Sequence, residues 1–330
     1  MSRRAGGCCR YGRGGRMGIF DDLRHCIRER VPLAPHTSYR LGGPAEYLAT
    51  PRTGSELVAV LARARAHDVP VRVLGHGTNL LIGDDGVEGL VVHLPKDGFA
   101  GFDFDPDTML LRVGAGQSLA GAVNWSLARG WGGLEFLAGV PGTVGAALRM
   151  NAGGKYGQIG DRVVAVEGVR LDGTPFRAKG NDCGFVYRDS QLRDRLVTQC
   201  QLRLHPDDAS AARDLFHRIL AEKQASQPLA ARSAGCVFKN PRIPGVPPAG
   251  KLIEELGFKG QQVGGARVST RHANFLVCEQ GARTADVVEL IRRIRAKAWS
   301  ERGVRMELEI AVWGIPPEAL WPEALRAFVA

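Results

Sequence analysis

Two glycine-dense loops limit how this chain can fold more than any other feature. The first, Gly75-His76-Gly77-Thr78-Asn79-Leu80-Leu81-Ile82-Gly83, follows the apolar run Val71-Arg72-Val73-Leu74. The second runs from Gly139-Val140-Pro141-Gly142-Thr143-Val144-Gly145-Ala146-Ala147 through Met150-Asn151-Ala152-Gly153-Gly154-Lys155-Tyr156-Gly157. They hold much of a glycine excess, 43 of 330 residues, about 13% against a usual share of about 7%. Backbone without side chains lets N–H groups converge on an anion such as a pyrophosphate. Neither loop carries G-x-G-x-x-G or G-x-x-x-x-G-K-[ST], so neither a Rossmann dinucleotide site nor a nucleoside-triphosphate site is supported. Either loop alone would read equally as a tight turn. Two of them, each beside an expected strand, point to one extended ligand of dinucleotide size.

The surrounding pattern alternates strands and helices. A strand at Glu46–Ala49 is followed by Thr53-Gly54-Ser55, which offers capping hydroxyls to a helix from Glu56 to His67, with Leu57, Val60, Leu61 and Ala64 on one face. Strands follow at 71–74 and 90–94, and the first module is expected to start near Pro35. A second unit has a strand from Met109 to Val113, a helix from Ser118 to Arg129 ended by Gly130, and a hairpin turning at Asp172-Gly173. Leu196, Thr198, Cys200, Leu202 and Leu204 alternate as one face of a further strand. A third unit opens with a helix from Asp207 to Gln224 (Leu215, Phe216, Ile219 and Leu220 inward) and contains a short helix at 249–256. A long helix capped by Thr284 follows, then a last strand from Met306 to Trp313. The expected divisions are 1–34, a basic arm and lead-in that is partly disordered; 35–97 and 98–205, two α/β subdomains; 206–314, an α+β domain; and 315–330, a tail. The fold class is α+β.

Half of the net charge of +10 sits in residues 1–16, where Arg3, Arg4, Arg10, Arg13 and Arg16 meet no acid. Such an arm reads first as a tail or an overextended start; nucleic-acid affinity is the weaker reading, because no aromatics interleave the arginines. No apolar run is long enough to span a membrane. Seven cysteines at scattered spacing contain no Cys-x-x-Cys pair and no cysteine–histidine cluster, so they read as reduced thiols of a cytoplasmic protein without zinc.

The chemistry-bearing stretch is Ser233-Ala234-Gly235-Cys236-Val237-Phe238-Lys239-Asn240-Pro241. A thiol near its reference pKa of about 8.5 is protonated at neutral pH and can donate a proton, although a buried, inert cysteine is the commoner reading. Tyr187-Arg188-Asp189-Ser190 places a guanidinium where a strand meets a loop, suited to a carboxylate or phosphate and equally to a surface ion pair. Glu307 and Glu309 point the same way on the last strand; they read either as an exposed acidic face or as including one buried acid with a raised pKa.

Six ordered motifs resemble the UDP-N-acetylenolpyruvoylglucosamine reductase family: Arg40-Leu41-Gly42-Gly43, Leu74-Gly75-x-Gly77-Thr78-Asn79-Leu80-Leu81, Pro141-Gly142-Thr143-Val144-Gly145, Met150-Asn151-Ala152-Gly153, Tyr187-Arg188-Asp189-Ser190 and 233–241. The resemblance spans Thr37 to Gly314 and fits the shorter branch, without an additional substrate-covering insertion. It implies FAD held between the first two subdomains in the vanillyl-alcohol-oxidase (PCMH) type of fold, under a C-terminal substrate-binding domain. It implies reduction of FAD by NADPH, then hydride transfer from flavin N5 to the terminal carbon of UDP-N-acetylglucosamine enolpyruvate, for peptidoglycan synthesis. Cofactor contacts implied are Arg40, Leu74, Gly75, Gly77, Thr78, Asn79, Leu80, Leu81, Pro141, Gly142, Thr143, Val144, Gly145, Asn151, Ala152 and Gly153. Cys236 stands where the family has a proton-donating serine, with Arg188 and Glu309 as the pair that stabilises the enol or enolate. Tyr156, Tyr187, Lys239 and Asn240 are implied substrate contacts. Ala311 stands in place of an expected arginine, and Ala147 in place of a glycine. No metal, membrane or protein partner is expected. A flavin-dependent sugar or alcohol oxidase of the same fold is the alternative enzyme, and a nucleotide-sensing or nucleic-acid-binding protein the non-enzymatic one.

Overall fold

The computed structural model describes residues 18–206, 209–323 and 325. The five-arginine arm lies outside the described residues. The first sheet takes β1 (Ile27–Pro32), β2 (Pro44–Ala49), β3 (Val71–Leu74) and β5 (Val87–His93) in the order β1-β2-β5-β3, while β4 (Leu80–Ile82) leaves it. β2 and β3 flank β5 in parallel, and β1 pairs antiparallel at the edge. β1 begins the fold upstream of the expected start near Pro35. Only its Ile27 is buried, so the charged run Arg28-Glu29-Arg30 shows no apolar alternation to reveal a strand. The helix α1 (Gly54–Ala66) packs Leu57, Val60, Leu61 and Ala64 completely inward, and Thr53 Oγ1 accepts the Glu56 N–H at its start.

The second sheet contains β6 (Phe102–Asp105), β7 (Leu110–Gly114), β8 (Val163–Arg170), β9 (Pro175–Lys179) and β10 (Arg195–Arg203), ordered β9-β8-β10-β7-β6. Every pairing in it is antiparallel. Gly173 at φ +89° makes the expected turn between β8 and β9, braced by Thr174 on the Asp172 carboxylate. The helices α2 (Leu119–Ala128) and α3 (Val144–Arg149) cover this sheet, so the second glycine loop contains a helix. Leu57, Leu61 and Leu90 of the first unit join Leu111, Leu134 and Val166 of the second in one apolar core. The helix α4 (Ala209–Ser226) adds Ala212 and Ile219 to that core; the first two residues of the expected helix, 207 and 208, lie outside the described residues.

A second core holds α5 (Ala249–Glu255), a three-stranded antiparallel sheet of β11 (Gln262–Val263), β12 (Ala266–Val268) and β13 (Leu276–Cys278), and α6 (Thr284–Arg302). Val287, Leu290, Ile291 and Ile294 of α6 are fully buried there, and Tyr39, Leu41 and Leu81 enter from the first unit. Thr284 does not cap α6. The cap is Arg283, whose N–H donates to Asp286 Oδ2, and Thr284 Oγ1 instead donates to the Ile82 carbonyl at 2.7 Å. The expected strand from Met306 to Trp313 also divides. Glu307 and Glu309 pair with the backbone of Lys239 and Val237, and only β14 (Ala311–Trp313) is a regular strand, parallel to β4. Among the described residues no helix is long and apolar enough to cross a membrane.

The Thr284 hydroxyl, 2% exposed, is a buried bond from α6 to β4. Replacing it with valine keeps the shape and strands the Ile82 carbonyl, so Thr284→Val should lose about 1–3 kcal/mol in urea unfolding followed by circular dichroism. An unchanged midpoint would show that water replaces the hydroxyl.

Candidate active site

A cavity of about 640 Å³ opens between the two glycine loops, the 234–236 segment, α4 and Glu309. Leu74, Gly75, Gly77, Thr78, Asn79 and Leu80 line it from one side; Pro141, Thr143, Gly145, Ala152 and Gly153 line it from the other. Among the described residues, no acceptor within the chain takes the amides of Gly75, His76, Gly77, Thr78, Asn79, Gly142 or Thr143. A Cβ on Gly75 would lie 2.9 Å from Thr143 Oγ1, so the two loops touch. Gly77, at φ +60°, would put one 2.1 Å from the His36 carbonyl. Loops that admit no side chain and leave their N–H groups free make a cradle that fits the pyrophosphate of a dinucleotide such as FAD.

Five expected cofactor residues lie off the cavity lining. Leu81 and Val144 are fully buried in the cores. Gly142, at φ +122°, turns its carbonyl to the Leu119 N–H. Asn151, 1% exposed, ties its side chain to the Val186 carbonyl and the Gly160 N–H, which fixes the loop without reaching the cavity. Arg40 points outward and donates to the Pro35 carbonyl.

Arg188 and Glu309 meet: Arg188 Nε is 2.6 Å from Glu309 Oε1, and Arg188 Nη1 donates to the Gly153 carbonyl at 2.9 Å. Arg188 occupies left-handed backbone, φ +58°, at the tip of a tight turn closed by paired hydrogen bonds between Val186 and Asp189. Such a conformation persists only where the surroundings over-determine it, and it aims the guanidinium inward. Glu309 keeps 13% side-chain exposure and Glu307 67%, so the two acids do not share the one environment that the strand pattern predicts: the regular strand begins only at Ala311, and Glu307 faces Lys239 while Glu309 meets Arg188. Burial raises the Glu309 pKa against the opposing pull of Arg188.

Cys236 lines the same cavity. Burial pushes its thiol up to about 12, Glu309 adds to the effect, and Arg188 and Asn274 oppose it. Asn274, 2% exposed, clamps the strand beyond, accepting the Phe238 N–H at 2.9 Å and donating to the Phe238 carbonyl at 2.8 Å. Tyr156 lines the cavity and donates to Glu222 Oε1 at 2.8 Å; Lys155 holds the other oxygen. Tyr187, Lys239 and Asn240 do not line it. Tyr187 stacks under Arg242, Lys239 faces Glu307 at 3.6 Å, and Asn240 Oδ1 accepts the Ala249 N–H at the start of α5.

The sequence reading missed Lys223, Arg149 and Arg193, which also line the cavity. Lys223 Nζ donates to the Ala138 carbonyl at 2.6 Å, and burial, with Arg188 beside it, lowers its pKa to about 8. Helical spacing was the available signal, since Lys223 lies one turn beyond the buried Ile219. Burial also lowers Arg149, and Arg193 pairs with Asp189. The enclosure is therefore rich in cations and suits an anionic ligand. Sequence spacing had shown no metal cluster, yet His25, Cys26 and Glu56 bring ligand atoms within 4.8 Å of one another, off the cavity. Glu56 already accepts the Arg52 N–H there, and burial raises the Cys26 thiol.

A family model described as UDP-N-acetylenolpyruvoylglucosamine reductase, C-terminal domain, matches residues 227–313, and one described as FAD binding domain matches residues 45–179. A UDP-N-acetylenolpyruvoylglucosamine reductase of Moorella thermoacetica is 44% identical over 293 residues, 88% of this chain and 95% of that protein. One of Heliobacterium modesticaldum is 38% identical over 298 residues, 90% of this chain and 93% of that protein. The crystal structure of UDP-N-acetylenolpyruvylglucosamine reductase from Thermus caldophilus superposes with a TM-score of 0.75 at 38% identity, covering 87% of this chain and 99% of that one.

A thiol at about 12 is almost wholly protonated at neutral pH, with roughly one molecule in ten thousand as thiolate at pH 8. Iodoacetamide alkylation of Cys236 in the native protein, read by peptide mass spectrometry, should be negligible at pH 8 and rise only above about pH 10. Rapid labelling at pH 7 would mean a nucleophilic thiolate and the wrong protonation state for a proton donor.

Proposed function

The chain belongs to the UDP-N-acetylenolpyruvoylglucosamine reductase family, and on that premise we propose that it reduces the enolpyruvyl group of UDP-N-acetylglucosamine enolpyruvate to give UDP-N-acetylmuramate, with FAD as cofactor and NADPH as reductant. The observation that carries this reading is the meeting of Cys236 with the Arg188–Glu309 pair in one cavity, beside the free amides of the glycine loops. The amides of Gly75–Asn79 and Thr143 would hold the FAD pyrophosphate. When bound and reduced, FAD supplies a hydride to the terminal carbon of the enolpyruvyl group.

The chain's own residues manage the charge and the proton. Hydride arrival pushes electron density toward the substrate carboxylate, and the Arg188 guanidinium stands ready to stabilise it. Glu309, 2.6 Å from Arg188 Nε, holds the guanidinium at that place, and burial shifts its own pKa upward. Cys236 holds its proton until the α-carbon becomes basic, then transfers it from Sγ and regains one from solvent. Its high pKa weakens it as an acid and makes the thiolate take up a new proton readily. Ala311 lines the cavity without a charge, so Arg188 and Lys223 provide the positive field. Tyr156 and Lys155 line the cavity and are the substrate contacts this geometry supports best. The product serves peptidoglycan precursor synthesis, and a cytoplasmic location and roles in cell shape and division follow from that reading.

The direct test is NADPH oxidation by the FAD-loaded protein with and without UDP-N-acetylglucosamine enolpyruvate. Oxidation should depend on the enolpyruvyl sugar nucleotide and yield the lactyl product. Turnover that needs an alcohol and oxygen, with no NADPH, would replace this reading with an oxidase.

Removing the proton donor separates the two halves of the reaction. Cys236→Ala should keep flavin reduction by NADPH while losing roughly two to four powers of ten in turnover of the enolpyruvyl substrate. Cys236→Ser should keep substantial activity. Undiminished turnover in the alanine variant would remove Cys236 from the mechanism.

A further inference from the structure

Tyr39 is 1% exposed, and its hydroxyl oxygen has no hydrogen-bond partner. A buried phenol of this kind loses stability relative to phenylalanine, so its presence calls for an explanation. The ring leaves the first unit and enters the second core beside Ala234, Val237 and Phe238, the residues that flank Cys236. The backbone N–H of Ala234 lies against the phenol oxygen and opposes the strong upward push that burial gives its pKa, yet the contact falls short of a complete hydrogen bond. Ala234 N–H has no other acceptor among the described residues. Donor and acceptor therefore face each other, both unsatisfied.

The surroundings join this pair to both halves of the site. The segment carrying Tyr39 also buttresses the first glycine loop: Ser38 N–H donates to the Gly77 carbonyl at 3.1 Å, and Gly77 packs against the His36 carbonyl. Within the segment, Thr37 Oγ1 donates to the Leu41 carbonyl at 2.9 Å, which stiffens the turn. On the other side, Gly235 has φ +77° and nothing within 4 Å of where a side chain would begin, so the 234–236 segment has room to shift. Ala234, Gly235 and Cys236 line the cavity and Tyr39 does not, so Tyr39 acts only through the segment.

We propose that Tyr39 is a positioning residue for the proton-transfer step. Its ring and oxygen back Ala234 and so hold the 234–236 segment, and with it Cys236, relative to the glycine loop that the Tyr39 segment buttresses. This rests on the reductase reading above.

The test is Tyr39→Phe, which preserves the ring and removes only the oxygen, studied as FAD-loaded protein by stopped-flow flavin absorbance. Reduction by NADPH should stay within twofold of wild type, while reoxidation by the enolpyruvyl substrate should slow roughly tenfold, as expected for a misplaced reacting group. The melting temperature should be equal or higher, since a buried orphan is removed. Wild-type rates in both half-reactions, or equal slowing of both with a lower melting temperature, would overturn the proposal. If wild-type flavin is not reoxidised by the enolpyruvyl substrate at all, the reductase reading itself falls and takes this role with it.

Discussion

Parallel pairing of Ala311–Trp313 with Leu80–Ile82 is the constraint on which the site depends. Leu80–Ile82 follows directly on the first glycine loop, so this short ladder joins the cofactor cradle to the far end of the chain. Asn79 works at the joint: its carbonyl accepts the Ala311 N–H at 3.0 Å, and its side chain donates to the Glu309 carbonyl at 3.0 Å. Two residues of spacing and one strand alternation then place the Glu309 carboxylate in the cavity. The Gly83 N–H on the Trp313 carbonyl and the Thr284 hydroxyl on the Ile82 carbonyl hold the same strand from its other end. Rigid strands fix a functional group more tightly than a loop can, and here one strand serves both the cradle and the acid.

The electrostatics follow from that closeness. Taking Glu309 out of water disfavours its charged form, and Arg188 at 2.6 Å favours it; burial is the larger effect, so the pKa goes up. Burial, and after it the Glu309 carboxylate, raise the Cys236 pKa and keep its proton in place. Arg188, Glu309 and Cys236 therefore depend on one another, and changing one alters the charge balance of the other two. Lys223, pressed down toward about 8 by burial beside Arg188, shows the cost of enclosing several cations together. An anionic substrate would relieve it.

Much of this was readable in the chain. Loop glycines at 75, 77 and 142 mark where backbone must bend or approach closely, and the Asp172-Gly173 turn announces its hairpin. Arg188 could be singled out as a guanidinium where a strand meets a loop and Glu309 as an acid among apolar neighbours, while the role expected of Cys236 came from the family likeness. Other features could not be read. Asn151, Leu81 and Val144 sit inside the right motifs, yet their side chains serve packing or loop bracing, and a motif does not record which way a side chain points. Asn240 looks like a ligand contact and is a brace for a helix. Lys223 was hidden within an amphipathic pattern that accounts for its neighbours equally well.

The sequence by itself determined the order of strands, helices and glycine loops and the family likeness, because these rest on local backbone preference and on side-chain chemistry in ordered motifs. Tertiary structure alone decided that residues more than a hundred positions apart, Arg188 and Glu309, would touch. It also decided that the run from Met306 to Trp313 would change partners midway, from the Cys236 segment to the strand after the cradle, and that Glu309 rather than Glu307 would be buried. The reason is physical: pairing register and burial are properties of which surfaces meet, and protonation follows from the environment they enclose.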